Sequence, residues 1–391
     1  MKPQINPSTP LYDLLIECCR HEPSNIKLEE YAEKIINWNA FLESAYAHGV
    51  YPVVAKALKS IAVIPEFVKL TLKSTNLEIA RRNMSMTVEL LRVMKLFQEN
   101  NISALAIKGP TLSQIIHGDI TTRQYADIDI LVEEDHLYNA ACILTEKDYT
   151  FDYSIDFTKN KGLLKATKDI TLSKKGPNID LELHWRLFSG RLFKKSNIDL
   201  FRDNSQFITI YQQKVTTLDN TVLLLYLLLH GSKHLWERLE WIVDIDRLVR
   251  SHEIDWEIMS KNTKIMQIEP MIQLGCAVAF DLFETPFPDD TLKYFTHNDA
   301  IINAQLQIKN DLFSNRIFEE GRIMNTVYYL GMGAISQPWF EYVFRFFRYT
   351  KNDVFTVNLP NILTPAYHLI HLYNSAHYRL KSLLYKRKSN D

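Results

Sequence analysis

The sequence has 391 residues, enough for two or three domains with a large hydrophobic core. Hydrophobic residues make up 46% of it and charged residues 23%, as in ordinary soluble proteins. The formal net charge of −1 excludes a global basic field that would recruit nucleic acid, while a local basic cleft is compatible with it.

Targeting and redox features narrow the class of protein further. The N-terminus has no basic segment followed by an apolar run, so no signal peptide is predicted. The longest apolar run, over 222–229, is far too short to span a bilayer. The four cysteines, Cys18, Cys19, Cys142 and Cys276, form neither a zinc spacing nor a disulfide framework. A reducing cytoplasm is therefore the expected location.

Helical patterns dominate the first hundred residues. Apolar residues at three- and four-residue spacing predict helices over 28–47 and 51–60. One long helical pattern follows over 65–99, with apolar residues at Phe67, Leu70, Leu77, Met84, Val88, Leu91 and Met94. A strand over 104–107 begins directly after it. We therefore expect an N-terminal helical region over 1–100 that leads into a strand.

Residues 101–215 are predicted to form a small α/β core with a mixed sheet of four or five strands over 103–190. One strand, over 126–132, carries Asp127 and Asp129 between isoleucines. Because side chains alternate between the two faces of a strand, both carboxylates lie on one face, about 6–7 Å apart. Aspartate is disfavoured in strands, so two of them indicate a function such as cation binding.

A second strand, over 179–185, repeats this pattern. Asp180, Glu182 and His184 share one face, and Ile179, Leu181 and Leu183 share the other. If the two strands are neighbours in the sheet, a third carboxylate joins the first two.

Helical patterns return after Asp219, a predicted N-cap, and define a C-terminal helical region over 216–391. A continuous helix is predicted over 221–239, and the nearly all-apolar helix over 270–283 is expected to be buried. The aromatic and basic segment over 339–348 could lie on a membrane surface. An ordinary core helix with a charged outer face is the commoner explanation, so peripheral membrane contact is not expected.

The strand motifs resemble those of the DNA polymerase β-like nucleotidyltransferase superfamily. Their exact residues most resemble those of a bacterial group of uncharacterised nucleotidyltransferases. The similarity covers most of residues 40–250. Its matching pieces are Ala47-His48-Gly49-Val50-Tyr51-Pro52, Lys108-Gly109, Arg123, Asp127-x-Asp129-Ile130-Leu131-Val132, Glu182-Leu183-His184-Trp185, His230, His234, Trp236, Trp241 and Asp244. The resemblance implies an α+β fold, in which a polymerase β-like core is flanked by N-terminal and C-terminal helical regions.

The resemblance implies that Asp127, Asp129 and Glu182 are the catalytic residues and hold Mg²⁺ or Mn²⁺. Two such ions held by three carboxylates would help to deprotonate a nucleophile and neutralise an α-phosphate. Glu182 is preferred as the third acid because it directly precedes Leu183-His184-Trp185, as in the family. Asp180 is the alternative.

Four further residues are predicted to bind the nucleotide: Lys108, Gly109, Arg123 and His184. Glycine lets the backbone approach a triphosphate closely, and lysine supplies a point charge. Arg123 could contact a phosphate or form an ion pair with Asp127. His184 could bind substrate or act as a base, and a buried core histidine is a comparable alternative.

Three features fit the family pattern less well or have simpler explanations. Gly109-Pro110 replaces the usual Gly-Ser or Gly-Gly, and proline offers no N–H to a phosphate. His230 and His234 have zinc-ligand spacing. The favoured interpretation is that their helix packs on the sheet and that His230, Lys233 or His234 donates to the nucleotide. Asp244 and Asp246 are expected to lie on a solvated face, paired with nearby arginines.

The predicted activity is the transfer of a nucleoside monophosphate from an NTP to an unidentified acceptor, with release of pyrophosphate. A metabolite, a peptide, a protein or an RNA could be the acceptor. One alternative is a toxin-like enzyme that modifies tRNA or protein. The other is a catalytically degenerate nucleotide-binding or interaction protein, which Gly109-Pro110 favours and the intact carboxylates disfavour.

Overall fold

The computed structural model describes residues 9–151, 160–174, 179–187, 203–266, 268–313, 349–375 and 377. Within these ranges the protein combines one mixed sheet with many helices, as expected for an α+β chain. The aromatic and basic segment over 339–348 lies outside the described residues. None of the helices in the described part is both long enough and apolar enough to cross a membrane.

The sheet has seven strands in the described part of the chain, in the order β3-β4-β5-β2-β1-β7-β6. The β2–β5 and β1–β7 pairs are parallel, and the other neighbours are antiparallel. The strands are β1 (Ala104–Ala106), β2 (Asp127–Val132), β3 (Tyr149–Phe151), β4 (Asp169–Lys174), β5 (Ile179–His184), β6 (Ser205–Ile210) and β7 (Gln213–Leu218).

This sheet is larger than the four or five strands that the sequence predicts over 103–190. The additional β6–β7 hairpin lies beyond residue 190. Its alternation is weak, because Phe207 is 71% exposed although it stands next to the apolar Ile208. A local period of two therefore does not identify this hairpin.

Helices precede and follow the sheet and also connect its strands. They are α1 (Pro10–Cys19), α2 (Asn25–Glu33), α3 (Trp38–Ala47), α4 (Tyr51–Leu58), α5 (Glu66–Glu99), α6 (Pro110–His117), α7 (Leu137–Thr145), α8 (Lys161–Ala166), α9 (Asn220–Lys233), α10 (Leu239–Ser251), α11 (Trp256–Met266), α12 (Glu269–Phe283), α13 (Asp289–Thr296), α14 (Asp299–Leu312) and α15 (Lys351–Thr356).

The long helix α5 confirms the helical pattern over 65–99, but that pattern identifies its buried face only at its C-terminal end, where Leu91 is buried and Met94 packs against the core. Phe67, Leu70, Leu77, Met84 and Val88 are all about half exposed or more. The apolar side chains that α5 buries are Val68, Leu72, Ile79, Met86, Leu90, Leu91, Val93 and Phe97. Apolar residues on two sides of one helix make the sequence pattern ambiguous.

The sheet separates two hydrophobic cores. On one face, Ile128, Ile130 and Val132 pack with the second half of α5 and with α7. On the other face, Leu131 belongs to the core that contains α9, α10 and the N-terminal helices. Asp127 and Asp129 have the same alternation as Leu131, so the carboxylates point toward the side of the sheet that carries α9 and α10.

The predicted helix over 221–239 is wrong in one respect, because it is interrupted between α9 and α10. Leu235 and Trp236 have positive φ angles of 54° and 57°. The buried Trp236 ring folds back onto the backbone of Gly231, where an added Cβ would lie 2.2 Å from the ring. Asp219 caps α9 as predicted, since its side chain accepts a hydrogen bond from Val222 N at 2.8 Å.

Candidate active site

The two acid-bearing strands are neighbours. In the parallel β2–β5 pair, Asp127 lies opposite Asp180 and Asp129 lies opposite Glu182. Residues paired in this way point to the same face of a sheet. The strand pairing therefore brings the predicted carboxylates together and adds His184, which is opposite Leu131.

Asp129, Glu182 and His184 form the tightest group. Each offers one potential ligand atom, and these atoms lie within 4.8 Å of one another. His184 Nε2 is 2.9 Å from Asp129 Oδ1 and 3.3 Å from Glu182 Oε2. Asp127 is outside this group, two residues earlier on the same face of β2. Asp180 is exposed and accepts a hydrogen bond from Ser173 Oγ at 2.6 Å.

The donor set fits a divalent cation. It combines two carboxylates with one imidazole nitrogen, which are common ligands for such ions. Asp129 Oδ2 is buried and accepts no hydrogen bond from the described residues. A buried carboxylate oxygen without a hydrogen-bond donor is costly unless a cation balances it.

Lys108 supplies one such cation. Strand β1 runs antiparallel to β2, and Ile107 N donates to Asp129 O at 3.0 Å. The next residue then reaches the carboxylate, with Lys108 Nζ 3.3 Å from Asp129 Oδ2. The contact is an ion pair and not a hydrogen bond, because Asp129 Oδ2 accepts no hydrogen bond from the Lys108 ammonium group.

The two aspartates of β2 differ electrostatically. Burial raises the pKa of Asp127, and the negative charge of Asp129 raises it further. Burial would also raise the pKa of Asp129, but the charge of Lys108 and the hydrogen bond with His184 hold it well below its usual range. Burial would lower the pKa of His184, yet its bonds to Asp129 and Glu182 raise it. A cation at this site would relieve the repulsion between the carboxylates.

Gly109 forms the turn between β1 and α6. Its φ of 64° and ψ of −127° are favourable only for glycine, and an added Cβ would lie 3.3 Å from Asp127 O. Pro110 is the first residue of α6, where a missing N–H breaks no helical hydrogen bond. The glycine is thus required by the close approach of the turn to β2.

Arg123 forms its ion pair with Asp244 of α10 and not with Asp127. Its Nε and Nη2 donate three hydrogen bonds to Asp244 at 3.0–3.1 Å. The backbone oxygen of Arg123 accepts from Asn83 of α5 at 2.7 Å. Only 7% of Arg123 is exposed. The segment that leads into β2 is therefore attached to helices on both sides.

The prediction that Asp244 and Asp246 lie on a solvated face of α10 is wrong. Asp244 and Asp246 are both buried, with exposures of 1% and 0%. Asp246 accepts hydrogen bonds from Arg247 and Arg250 at 3.0 Å and 2.9 Å. A sequence pattern of oppositely charged residues at short spacing predicts ion pairs, but it does not reveal whether other helices or strands bury them.

Two charged residues near the acids, Lys168 and Asp169, are missed by the sequence prediction, whereas Lys233 was predicted as a possible nucleotide donor. Asp169 begins β4 and lies opposite His184, and Lys168 contacts both of these residues. Lys233, at the end of α9, also faces the cluster. Burial lowers its pKa, and the charge of Lys168 lowers it further. Polar residues at 169, 171 and 173 alternate with apolar ones, so the sequence carried a signal for this third polar strand.

His230 and His234 form an aromatic group with Trp241 at the edge of the site. The two imidazole centroids are 4.8 Å apart, and each lies 5.3 Å from the Trp241 ring. Burial lowers the pKa of His234 to about 4, and the charge of Lys233 contributes. These rings provide a neutral wall beside the acids.

The mixed sheet thus gathers acidic residues beside a glycine turn. The chain belongs to the family described as "Uncharacterised nucleotidyltransferase", whose profile matches residues 34–284, more than half of the sequence. That range contains the whole sheet and parts of the helical regions on both sides.

One solved structure shows a weaker similarity to this chain. It is the crystal structure of an antigenic nucleotidyltransferase-like protein from Paracoccidioides brasiliensis, with 12% sequence identity and a TM-score of 0.34. The match covers 58% of this chain and 92% of that chain. No protein with curated annotation matches the sequence significantly.

Proposed function

We propose that the protein is a metal-dependent nucleotidyltransferase with a polymerase β-like core. We also propose that it belongs with bacterial nucleotidyltransferases of this superfamily. It would transfer a nucleoside monophosphate from an NTP to an acceptor and release pyrophosphate. The observation that carries this proposal is the register of β2 and β5, which aligns Asp129 with Glu182 on one face.

Asp127, Asp129 and Glu182 would hold the metal ion. When bound, a divalent cation supplies charge neutralisation at the α-phosphate and lowers the pKa of the attacking hydroxyl. The raised pKa of Asp127, caused by burial and then by the charge of Asp129, suits a carboxylate that takes up a cation. Glu182 is favoured over Asp180 as the third acid because it belongs to the compact group with His184.

The triphosphate would lie against basic groups around the acids. Lys108 follows β1, Lys233 ends α9 and Lys168 precedes β4, so three separate segments offer positive charge near the acids. Pro110 donates nothing, but the N–H groups of Thr111 and Leu112 in the first turn of α6 have no partner within the helix. Arg123 would contribute indirectly, by holding the segment before Asp127 against α10.

The acceptor would be a metabolite, a peptide, a protein or an RNA that carries a hydroxyl or similar nucleophile. The family description names no acceptor. The transfer chemistry requires only that this nucleophile reach the α-phosphate opposite the departing pyrophosphate.

Nucleotide binding tests the proposal. The full chain is titrated with ATP, GTP, CTP and UTP, each with and without Mg²⁺ or Mn²⁺, and its free energy of unfolding is measured. A nucleotide at about one hundred times its Kd stabilises the native state by about 2.7 kcal/mol. We expect Asp129→Asn to lose the metal-dependent part of this stabilisation.

Asp180→Asn is the matched control, because Asp180 is on the same face of β5 but outside the compact group. It should retain the metal-dependent stabilisation. Equal stabilisation of the wild type and Asp129→Asn would refute the proposed site. Loss in both Asp129→Asn and Asp180→Asn, with retention in Glu182→Gln, would identify Asp180 as the third carboxylate.

A second candidate function is nucleotide binding without transfer. The Lys108–Asp129 ion pair favours it, because the ammonium group engages one of the carboxylates that a metal would use. This candidate predicts nucleotide-induced stabilisation that is independent of Mg²⁺ or Mn²⁺ and is weakened by Lys108→Met.

A further inference from the structure

The nitrogen Nε2 of His184 is shared between two carboxylates, at 2.9 Å from Asp129 Oδ1 and 3.3 Å from Glu182 Oε2. One N–H group cannot donate well to both. A metal ion in place of that proton would contact the nitrogen and both carboxylates. We propose that His184 is a metal ligand together with Asp129 and Glu182, and that the site therefore selects Mn²⁺ over Mg²⁺. The inference rests on the proposed function for the presence of a metal.

Ligand chemistry gives the selectivity. Mg²⁺ is usually bound by oxygen ligands and retains several water molecules. Imidazole nitrogen is instead a favourable ligand for first-row transition ions, and Mn²⁺ accepts carboxylate oxygens as well. An imidazole nitrogen added to carboxylate oxygens therefore disfavours Mg²⁺ more than it disfavours Mn²⁺.

The site is built into the protein interior. The side chains of His184 and Asp129 are 2% and 1% exposed, while Glu182 is 31% exposed. Two ligands would therefore be fixed by packing, and the third would face the opening through which an ion enters. Fixed ligands of this kind increase selectivity, since they cannot rearrange around an ion with other preferences.

The ion pair with Lys108 is compatible with this arrangement. Lys108 Nζ approaches Asp129 Oδ2, whereas His184 Nε2 approaches Asp129 Oδ1. The two oxygens of one carboxylate can thus serve the lysine and the metal at the same time. Lys108 would limit the charge of the site without displacing the ion.

The other ring nitrogen of His184 has a partner suited to a metal-bound histidine. Asp169 Oδ2 lies 3.6 Å from His184 Nδ1. A histidine that binds metal through Nε2 carries its proton on Nδ1 and usually donates it to a carboxylate. Lys168 Nζ, 3.3 Å from the same nitrogen, would then turn to Asp169, which it already contacts. Asp169 would be a positioning residue.

Metal binding without nucleotide tests the inference. Free Mn²⁺ is followed by electron paramagnetic resonance during titration of the full chain, and Mg²⁺ is added as a competitor. We expect Mn²⁺ to bind at least about tenfold more tightly than Mg²⁺. In His184→Gln the Mn²⁺ affinity should fall by at least about 10–100-fold, the loss that removal of an outer-shell partner alone typically causes. His252→Gln, a histidine outside the donor group, should match the wild type.

A second measurement uses the wild type alone and does not depend on the folding of a variant. Pulsed electron paramagnetic resonance of bound Mn²⁺ should show coupling to a ¹⁴N nucleus. Absence of nitrogen coupling, or equal binding of Mn²⁺ and Mg²⁺, would overturn the inference. Nucleotide transfer supported by an oxygen-only site would leave the proposed function standing, whereas nitrogen coupling without nucleotide binding would retain only the metal site.

Discussion

At the scale of single residues, Asp129 contacts a basic group through each of its two carboxylate oxygens. Its two carboxylate oxygens face Lys108 and His184 from opposite sides. The alternation of β2 predicted that Asp127 and Asp129 share a face, and this prediction follows from strand geometry alone. The difference between them could not be predicted, because it depends on neighbours that come from β1 and β5.

Gly109 gives a prediction at this scale. Gly109→Ala should lower the free energy of unfolding by about 1–3 kcal/mol, because an alanine at φ 64° and ψ −127° is strained and its Cβ meets Asp127 O. Metal-dependent nucleotide binding should weaken as well, since the turn sits between Lys108 and α6. Urea denaturation and nucleotide titration measure the two effects.

Gly118→Ala is the matched control for that experiment. Gly118 also has a positive φ, 66°, but its ψ of 8° is left-handed helical and an added Cβ meets nothing within 4 Å. Gly118→Ala should lower the free energy of unfolding by about 1 kcal/mol and leave nucleotide binding unchanged. An equal loss of nucleotide binding in both variants would contradict a specific role for the Gly109 turn.

At the scale of elements, the β4–β5–β2 pairing creates the site. The sequence predicts the β2 and β5 strands and their polar faces from local alternation. Their adjacency joins residues about fifty positions apart, and no local pattern specifies such a register. The same limit explains why Asp169 was missed, since its relevance depends on lying opposite His184 in β5.

Glu89 gives a prediction at this scale, because it ties α5 to the β3–β4 edge of the sheet. Tyr149 Oη and Lys174 Nζ lie 2.5 Å and 3.0 Å from Glu89 Oε1. Burial would raise the pKa of Glu89, but hydrogen bonds from Arg92, Tyr149 and Lys174 outweigh it and lower the pKa to about 2. A carboxyl with a lowered folded-state pKa stabilises the protein above its unfolded pKa, near about 4.3.

This stabilisation should disappear as the pH falls from about 4.3 toward 2. Its full size is about 3 kcal/mol, from about 1.4 kcal/mol per pKa unit. Urea denaturation between pH 7 and pH 3 should therefore show Glu89→Gln destabilised most above pH 5, with the difference shrinking in acid. Glu99→Gln, at an exposed i,i+4 pair with Lys95 on the same helix, should leave the profile unchanged. A constant difference at every pH would contradict the assigned pKa.

At the scale of the whole molecule, the sheet is held between helical regions that precede and follow it in sequence. The Arg123–Asp244 pair joins the segment before β2 to α10 across 121 residues. The sequence predicted the helical regions and the central α/β core. It did not predict the Arg123–Asp244 ion pair, because the tertiary fold decides which residues so distant in sequence come into contact. Buried pairs of this kind are costly to break and so fix the relative position of the two elements.

The most direct test of the proposed activity is identification of the reaction products. The full chain is incubated with each NTP, Mn²⁺ or Mg²⁺, and glycerol as a simple hydroxyl acceptor beside water. A nucleotidyltransferase cleaves at the α-phosphate, so pyrophosphate and a nucleoside monophosphate, free or attached to glycerol, should form. Asp129→Asn should abolish this reaction and Asp180→Asn should retain it. Formation of a nucleoside diphosphate and phosphate, or pyrophosphate release that persists in Asp129→Asn, would contradict the account.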